Sequence, residues 1–466
     1  MNLASIQSSI KMSETTHNYT NSKDYSARIH QVIPGGAHTY SKGDDQFPQM
    51  APAAIQRGKG AYLWDIDGNK FLDCSMGLTS VSLGHAYEPV LARVRDELDN
   101  GVNFQRPSVL ELEMAEKFLS LVPGHDMIKF AKNGSTVTTA AVKLARAKTG
   151  RTLVAFPSNH PFYSYDDWFI TTTPCSKGVP GETALHSVTF KACDIGSLRD
   201  LFARYPGQIA CVITEPEKST CGPDFCGPHS ACGGKPLQFL RSALELAHAD
   251  GALFILDEMI TGFKTALPGS ITKYQIDADM ATWGKGIANG FSFCALTGKR
   301  SVMELGGINR LGEEKVFLIS TTHGGETHAM AAALATIDEF QRYEVVTHNQ
   351  NLGRKLIEAC QSHVREKRLE AWIQVLPCPW MVTFVFRDKE GQMSAGLRTL
   401  MLQEMIRRGV LFQGVFVPCY SHTEEDVDCF SKAFSDSLEV YQKALEQGYE
   451  AFLVGEPTKP VFRKKL

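Results

Sequence analysis

The sequence lacks an apolar run long enough to cross a membrane, and it lacks a strong net charge. No stretch of about 18 consecutive apolar residues occurs, and residues 1–26 are polar, without the apolar centre of a signal peptide. Lysine and arginine number 48 against 51 aspartate and glutamate residues, a formal net charge of -3. Since no global field attracts nucleic acid or anionic lipid, we expect a cytoplasmic globular protein that binds neither.

The sequence gives little support for disulfides or a metal centre, although it contains 12 cysteines. Most stand singly in apolar contexts such as "FLDCSM" and "SFCALTG", as expected of reduced, buried thiols. One Gly/Pro-rich loop, "TCGPDFCGPHSACGG", differs because it holds Cys221, Cys226, His229 and Cys232. These residue types ligate zinc, yet their spacing matches no common finger or ribbon. We predict an ordinary surface insertion without metal, with a metal site as the alternative.

Internal repeats and low-complexity linkers are also missing, and what recurs is an alternation of apolar runs with amphipathic segments. Runs that are continuously apolar indicate buried parallel strands, because a half-exposed strand would alternate; they are 152–156, 210–214, 252–258 and 279–283. The segment "KPLQFLRSALELAHADG" predicts a helix that ends at Gly251, with one apolar face formed by Leu237, Leu240, Leu244 and Ala247. The pattern predicts an α/β fold with a mainly parallel sheet flanked by helices.

Ligands in such sheets bind beyond the carboxyl ends of the strands, and the first candidate site of this kind is "FAKNGSTVTTAAVKLARAKTG". Its first residues precede a predicted helix with an apolar stripe formed by Val137, Ala140, Ala141, Leu144 and Ala145. Free backbone N–H groups at a helix start, with the hydroxyls of Ser135 and Thr136, form a seat for a phosphate. The helix dipole contributes only about 0.3–1 kcal/mol, so a cofactor needs a second attachment. The alternative is a purely structural Ser or Thr cap.

Two further candidates close the next apolar runs. Asp257 in "LFILDEMITGF" needs a cationic or N–H partner, because an unpaired buried carboxylate is costly. A pyridinium nitrogen would suit it; the alternative is a turn cap. Lys285 in "DMATWGKGIANG" can form an imine with an aldehyde, which is the missing second attachment, and the alternative is a solvated lysine. The phosphate seat, Asp257 and Lys285 follow one another in the chain and have matching chemistry. Together they favour a cofactor site over the three structural alternatives.

Long segments such as "GAYLWDIDGNKFLDCSMG", "KNGSTVTTAAVKLARAKTGR", "LDEMITGFK", "WGKGIANG" and "STTHGGETHAMAAALATI" carry a family resemblance. The sequence resembles the class III pyridoxal-phosphate-dependent aminotransferases of fold type I, most closely the glutamate-1-semialdehyde aminomutase branch. The similarity extends from about Ile33 to about Val440. We expect a polar tail (1–30), a large cofactor-binding domain (76–340), and a smaller α+β domain built from both termini (31–75 and 341–466).

The resemblance implies a role for each matching residue. Lys285 forms the internal aldimine with pyridoxal 5'-phosphate, and Asp257 pairs with the pyridine nitrogen. Gly134 and Ser135 bind the phosphate. Thr322, in "STTHGG", reaches the phosphate from the neighbouring subunit, which implies a homodimer.

Three further residues match positions close to the cofactor in the family. Phe162, in "HPFYSYDDWF", falls where an aromatic residue stacks on the cofactor ring, and Tyr163 falls beside it. Glu215 of "TEP" matches a glutamate near the site. The alternative for the aromatic pair is a place in the hydrophobic core.

The substrate pocket departs from the family pattern. Lys42 stands where the aminomutases carry an arginine for the substrate carboxylate, and lysine lacks the planar fork of arginine. Leu78 replaces an aminomutase tryptophan, and Lys264 replaces an arginine that follows "TGF" in many relatives. Thr136 replaces an acidic residue of the phosphate loop. Arg106 offers a replacement anion contact, with an ordinary surface arginine as the alternative.

These departures favour an aminotransferase that moves an amino group between an amino donor and a carbonyl substrate. The first alternative is a glutamate-1-semialdehyde-type aminomutase, in which the nitrogen returns to a neighbouring carbon of the same molecule. An amino acid epimerase or decarboxylase on the same scaffold comes next. A non-catalytic assembly subunit is the remaining alternative, and the retained lysine and aspartate count against it.

Overall fold

The computed structural model describes residues 17–159, 162–220 and 236–465. They form two compact units, one made of residues 17–76 and Asn349–Val461, the other of Gly77–His348 and residues 462–465. The cysteine-rich loop with Cys221, Cys226, His229 and Cys232 lies outside the described residues.

The strands are numbered here in chain order. They are β1 Ile55–Lys59, β2 Tyr62–Asp65, β3 Lys70–Asp73, β4 Met127–Ala131, β5 Leu153–Pro157, β6 Ser187–Phe190, β7 Ile209–Thr214, β8 Leu253–Asp257, β9 Met280–Trp283, β10 Cys294–Gly298, β11 Ile373–Val375, β12 Val382–Phe386, β13 Val410–Leu411 and β14 Val415–Phe416.

The helices are numbered in the same way. They are α1 Thr20–Ile29, α2 Glu88–Leu98, α3 Val109–Leu119, α4 Gly134–Thr149, α5 Asp167–Ile170, α6 Ile195–Arg204, α7 Pro236–Asp250, α8 Ser270–Tyr274, α9 Arg300–Met303, α10 Thr327–Arg342, α11 Val345–Glu366, α12 Ala395–Arg407 and α13 Glu424–Gln447. Within the described ranges, none of them combines the length and the apolar character needed to cross a membrane.

A seven-stranded sheet with the order β4-β10-β9-β8-β7-β5-β6 organises the larger unit. The neighbours from β6 to β9 are parallel, and β10 runs antiparallel to both β9 and β4. The four apolar runs predicted as buried parallel strands correspond to β5, β7, β8 and β9, and nearly all of their residues are buried. The predicted α/β fold with a mainly parallel sheet is therefore confirmed.

Helix α4 contributes one apolar face to the core of the larger unit. Its predicted apolar stripe is fully confirmed, since Val137, Ala140, Ala141, Leu144 and Ala145 are all buried. The helix packs on β7, β9 and β10. The predicted helix is also present as α7, and Gly251 directly follows its last residue with a φ of 78°, the left-handed conformation that favours glycine.

The smaller unit contains two sheets and the long helices α11, from Asn349 onward, α12 and α13. One sheet has the order β1-β2-β3-β13 and the other β11-β12-β14. Its core includes a group of buried aromatic rings, Phe384, Phe412, Phe416, Phe430 and Phe434. The amphipathic segment 348–366 belongs to α11, and the apolar run "WMVTFVF" contains β12.

Truncation of Leu144, which is fully buried, tests the importance of the α4 stripe. We expect Leu144→Ala to lower the free energy of unfolding of the larger unit by about 2–5 kcal/mol, because it removes apolar contacts and leaves a cavity. Urea denaturation followed by circular dichroism measures the change. The exposed Lys148→Ala on the same helix is the control, and a change of equal size in both variants would contradict the assignment of the core face.

Candidate active site

The ends of β7, β8 and β9 bring three of the predicted site residues to one edge of the large sheet. Asp257 is the last residue of β8, Glu215 directly follows β7, and Lys285 follows β9 after one intervening glycine. Because the three strands are parallel neighbours, their carboxyl ends lie at the same edge. That edge is where ligands bind in open α/β sheets.

The carboxylate of Asp257 is held in one orientation by two hydrogen bonds. Its Oδ1 accepts from the hydroxyl of Thr282 at 2.8 Å and from the backbone N–H of Met259 at 3.0 Å. Thr282 is the residue directly opposite Asp257 in the pairing of β8 with β9. Asp257 is 2% exposed, so a buried acceptor is preorganised at the strand end, as a cationic N–H partner requires.

Lys285 lies on a closely packed backbone turn. Its φ is +46°, in the left-handed region, and it opens a short 3-10 turn that ends at Ala288. The preceding Gly284 has extended backbone, but a Cβ at that position would collide with the sulfur of Met259 and lie 2.7 Å from Sγ of Cys294. Glycine is therefore needed at residue 284 for space, and the lysine loop is tightly packed.

Asn289 fixes the far end of the lysine loop. Its Oδ1 accepts from the backbone N–H groups of Ser82 and Leu83 at 3.0 and 2.9 Å, and its Nδ2 donates to the carbonyl of Gly84 at 3.0 Å. Its own φ of +45° is tolerated better by asparagine than by most residues. The loop that carries Lys285 is thus bonded to the segment 82–84.

The Lys285 amine experiences opposing electrostatic effects. Burial lowers its pKa from the ordinary value, whereas the carboxylates of Glu215 and Asp257 and the thiol of Cys294 partly counteract that decrease. The net result is a lowered pKa. A larger fraction of this amine is then neutral and nucleophilic, which is what imine formation requires.

At the start of α4 the structural alternative, a Ser or Thr cap, is wrong. The N-cap is Asn133, whose Oδ1 accepts from the N–H of Thr136 at 3.0 Å, so neither Ser135 nor Thr136 is the cap. The hydroxyl of Ser135 accepts from the N–H of Tyr165 at 3.0 Å. It still has its own proton to donate. Together with the first N–H groups of the helix, it forms a group of donors suited to an anion.

The two adjacent aromatic residues lie in different surroundings. Phe162 is 48% exposed, and its ring stacks on that of Phe462 with centroids 6.5 Å apart. Tyr163 is buried among the rings of Phe156, Trp168 and Phe169. Burial and the negative charges of Glu215 and Asp257 raise the pKa of Tyr163 far above its ordinary value.

The remaining predicted residues belong to other segments of the chain. Thr322 and Arg106 are both exposed and line one polar cavity of about 260 Å³. The carbonyl of Thr322 accepts from the side chain of Asn103 at 3.2 Å. Leu78 lies in a left-handed turn with φ of +56°. Lys42 belongs to the smaller unit, where it is exposed at the end of a short turn.

Comparison with known proteins identifies the family. The model of the class III aminotransferases matches residues 43–160 and 149–415. A glutamate-1-semialdehyde 2,1-aminomutase of Chloroflexus aurantiacus is 33% identical, with 70% of this chain and 72% of the relative covered. A second enzyme of this name, from Thermus thermophilus, is 30% identical, and the match covers 91% of this chain and 99% of the relative. The FumI protein of Sphingopyxis sp. MTA144 has the same fold, with TM-score 0.81, 23% identity, and coverage of 94% and 99%.

The chain belongs to the class III aminotransferase family. It is therefore a pyridoxal-phosphate-dependent enzyme with the fold of type I, as the sequence predicted. The residues present fit that cofactor. A buried, oriented carboxylate, an amine of lowered pKa and a helix start rich in N–H donors are the groups that a pyridine nitrogen, an aldehyde and a phosphate need.

Three supporting residues of the enzyme did not emerge from the sequence. Thr282 orients Asp257, Met259 donates to it, and Asn289 holds the lysine loop. The Asn-Gly pair at the end of "GIANG" is a turn signal that points to Asn289. Nothing in the pattern identifies Thr282 or Met259, because their roles depend on strand register and loop conformation.

The burial of Glu258 predicts that the stability of the enzyme depends on pH. It is fully buried, accepts from Thr261 and Ile271, and burial raises its pKa from 4.5 to about 7. As the pH rises, the unfolded chain loses this proton first, so stability decreases between about pH 4.5 and pH 7.

We expect Glu258→Gln, which mimics the protonated form, to remove this decrease, on the order of 3 kcal/mol. Urea unfolding on both sides of that pH interval measures the difference. The exposed Glu314→Gln should keep the wild-type dependence. An unchanged pH dependence in Glu258→Gln would show that this carboxyl group has the same pKa in the folded and in the unfolded chain.

Proposed function

We propose that the enzyme is an aminotransferase that moves an amino group between an amino donor and a carbonyl substrate, with Lys285 as its central residue. The observation that supports this most is the convergence of Lys285 and Asp257 at one edge of the sheet, with an amine of lowered pKa and an oriented carboxylate. Membership of the class III aminotransferases supplies the type of reaction.

Pyridoxal phosphate supplies an electrophilic aldehyde carbon and a ring that accepts electrons. In our proposal Lys285 would hold the cofactor at its aldehyde carbon, and as a free amine it would move a proton at the substrate carbon. Asp257 keeps the ring nitrogen protonated. Gly134 and Ser135 bind the phosphate through the N–H groups and the hydroxyl at the start of α4.

The other predicted residues complete the proposed site. Phe162 stacks on the cofactor ring, with Tyr163 and Glu215 beside it. Lys42, Leu78 and Arg106 contribute to substrate selection. The exposed face of Phe162 is consistent with a stacking role, whereas the burial of Tyr163 suggests that it supports the site from the core.

An aminomutase is the second candidate, because relatives at 28–33% identity carry the name glutamate-1-semialdehyde 2,1-aminomutase. We place it second because of the substrate pocket. Lys42, Leu78 and Lys264 replace the arginine, tryptophan and arginine expected from the resemblance, and lysine is not equivalent to arginine where a carboxylate is bound by two hydrogen bonds.

Half-reactions distinguish the candidates. We expect glutamate or another donor from a panel of amino acids and amines to convert the bound cofactor from its aldehyde to its amine form, seen as a change in absorption. Lys285→Ala should abolish turnover. If no donor causes the change while one substrate is isomerised, the enzyme is an aminomutase, and if one substrate is racemised it is an epimerase.

We also propose a homodimer in which Thr322 of the partner subunit completes the phosphate site. Thr322 is exposed, and it lies in a loop that lines an open polar cavity together with Arg106. A cytoplasmic location is part of the proposal. The nine described cysteines are all free thiols, as expected in a reducing compartment.

Mixed dimers test the sharing of Thr322. We expect Lys285→Ala and Thr322→Val homodimers each to be impaired, and a mixture that exchanges subunits to regain activity. In the mixed dimer, one site combines an intact Lys285 with the intact Thr322 of the Lys285→Ala subunit. A mixture of Lys285→Ala with Asp257→Asn, two changes within one site, should stay inactive, and native mass spectrometry confirms that mixed dimers have formed. If mixed dimers form and the first mixture does not regain activity, Thr322 acts in its own subunit and the proposal is wrong. Wild-type activity of the Thr322→Val homodimer would contradict the proposal as well.

A further inference from the structure

An ion pair joins the segment just before α4 to the loop that carries Thr322. The Nζ of Lys132 lies 2.7 Å from Oε2 of Glu326, and Lys132 directly precedes Asn133, the N-cap of α4. The other carboxylate oxygen of Glu326, Oε1, lies 2.9 Å from Nδ1 of His323, the residue after Thr322. One carboxylate therefore contacts both the segment next to the proposed phosphate seat and the loop of Thr322.

Glu326 does not cap the helix that follows it. It is the N-cap residue of α10, a position where an acidic side chain normally accepts from the first N–H groups of its own helix. Its carboxylate makes no bond of this kind. The side chain is 8% exposed and faces Lys132 and His323 instead. Its carboxylate therefore serves the contact between two segments and not the start of α10.

Lys132 is held in place beside this carboxylate. Its carbonyl accepts from the hydroxyl of Ser292 at 2.7 Å, and its ammonium donates to the carbonyl of Ser292 at 3.3 Å. Burial raises the pKa of Glu326, but the contacts with Lys132, with its own N–H and with His323 outweigh burial, so the net pKa is lowered. The loss of either partner would leave a poorly solvated charge without its counter-ion.

The loop of Thr322 is also anchored to a second segment. The side chain of Asn103 donates to the carbonyl of Thr322 at 3.2 Å. Thr327 donates through its N–H to the carbonyl of Val102 at 3.1 Å and through its hydroxyl to the carbonyl of Gly101 at 2.8 Å. These bonds lead to residues 101–103, whereas the contact of Lys132 with Glu326 leads to the start of α4.

We propose that Lys132 and Glu326 are positioning residues that link the two phosphate sites of the homodimer. This inference rests on the proposed function, in which Gly134 and Ser135 bind the phosphate of their own subunit and Thr322 completes the site of the partner. Each subunit then carries the phosphate seat of one site and the threonine of the other, and the ion pair joins the two. A change in the pair therefore disturbs both sites.

The phosphate group of the cofactor allows a first test. Equilibrium dialysis of the full-length enzyme measures the affinity for pyridoxal 5'-phosphate and for pyridoxal, which lacks the phosphate. We expect Glu326→Gln to raise the dissociation constant of the phosphate form on the order of tenfold, the size of a typical coupling between sites. The dissociation constant of pyridoxal should stay unchanged, because the pair acts on the groups around the phosphate.

Asp338→Asn is the matched control, because it breaks an ion pair that Lys117 forms with the same helix α10 at 2.9 Å. It should change neither affinity. If Glu326→Gln does not fold, the double variant of Lys132→Gln with Glu326→Gln replaces it, since it leaves neither charge of the pair behind. Equal losses for the two ligands, or no loss for either, would overturn the inference.

A mixed dimer tests the link between the sites. One wild-type subunit and one Glu326→Gln subunit, purified through two different tags, form two sites, and each site takes either its phosphate seat or its threonine from the altered subunit. We expect both sites to bind pyridoxal phosphate more weakly than the wild-type dimer does. One site of wild-type affinity would overturn the inference.

The failure of this inference and the failure of the proposed function give different results. Native mass spectrometry of the wild-type enzyme establishes the oligomeric state, and a monomer would contradict both the homodimer and this inference. A mixed dimer with one wild-type site contradicts this inference alone. The binding measurements need no amino donor, so a missing half-reaction contradicts only the proposed aminotransferase.

Discussion

The parallel pairing of β8 with β9 is the constraint on which the site depends. It sets Asp257 opposite Thr282, whose hydroxyl then holds the carboxylate at 2.8 Å. The same pairing ends β9 just before Lys285, so the amine and the carboxylate leave the sheet at one edge. A shift of this pairing by one residue would turn each side chain to the other face of the sheet. The carboxylate of Asp257 and the amine of Lys285 could then no longer contact the same ligand.

The loop that carries Lys285 is rich in glycine, which is typical of flexible segments, yet in the structure it is closely packed. Gly284 faces the sulfurs of Met259 and Cys294, and Gly286 faces Ser82 and Lys264. In each case a side chain would occupy space already filled. The glycines around Lys285 therefore allow neighbouring segments to approach the backbone, and the role of Asn289 in bonding residues 82–84 adds to that rigidity.

The sequence predicted most of what depends on local periodicity. The four buried strands, the stripe on α4 and the order of the three candidate sites follow from runs and spacings within about 20 residues. It did not predict Asn133 as the helix cap, the antiparallel β10 or the bond from Asn289 to residue 82. The cap depends on which of several adjacent polar side chains accepts the hydrogen bond. The other two features depend on contacts between segments that are distant in the sequence.

The backbone just before residues 82–84 carries strain that the lysine loop helps to explain. Met76, Leu78 and Thr79 all have positive φ, a conformation that costs on the order of 1–3 kcal/mol for each non-glycine residue. Such a turn persists only where surrounding contacts determine it. Within the turn the hydroxyl of Ser80 donates to the carbonyl of Gly77 at 2.7 Å, and Asn289 holds the segment that follows by bonding the backbone of Ser82, Leu83 and Gly84. The position of Lys285 and the strained turn at Leu78 are thus parts of one hydrogen-bonded arrangement, which links the proposed catalytic amine to a residue proposed for substrate selection.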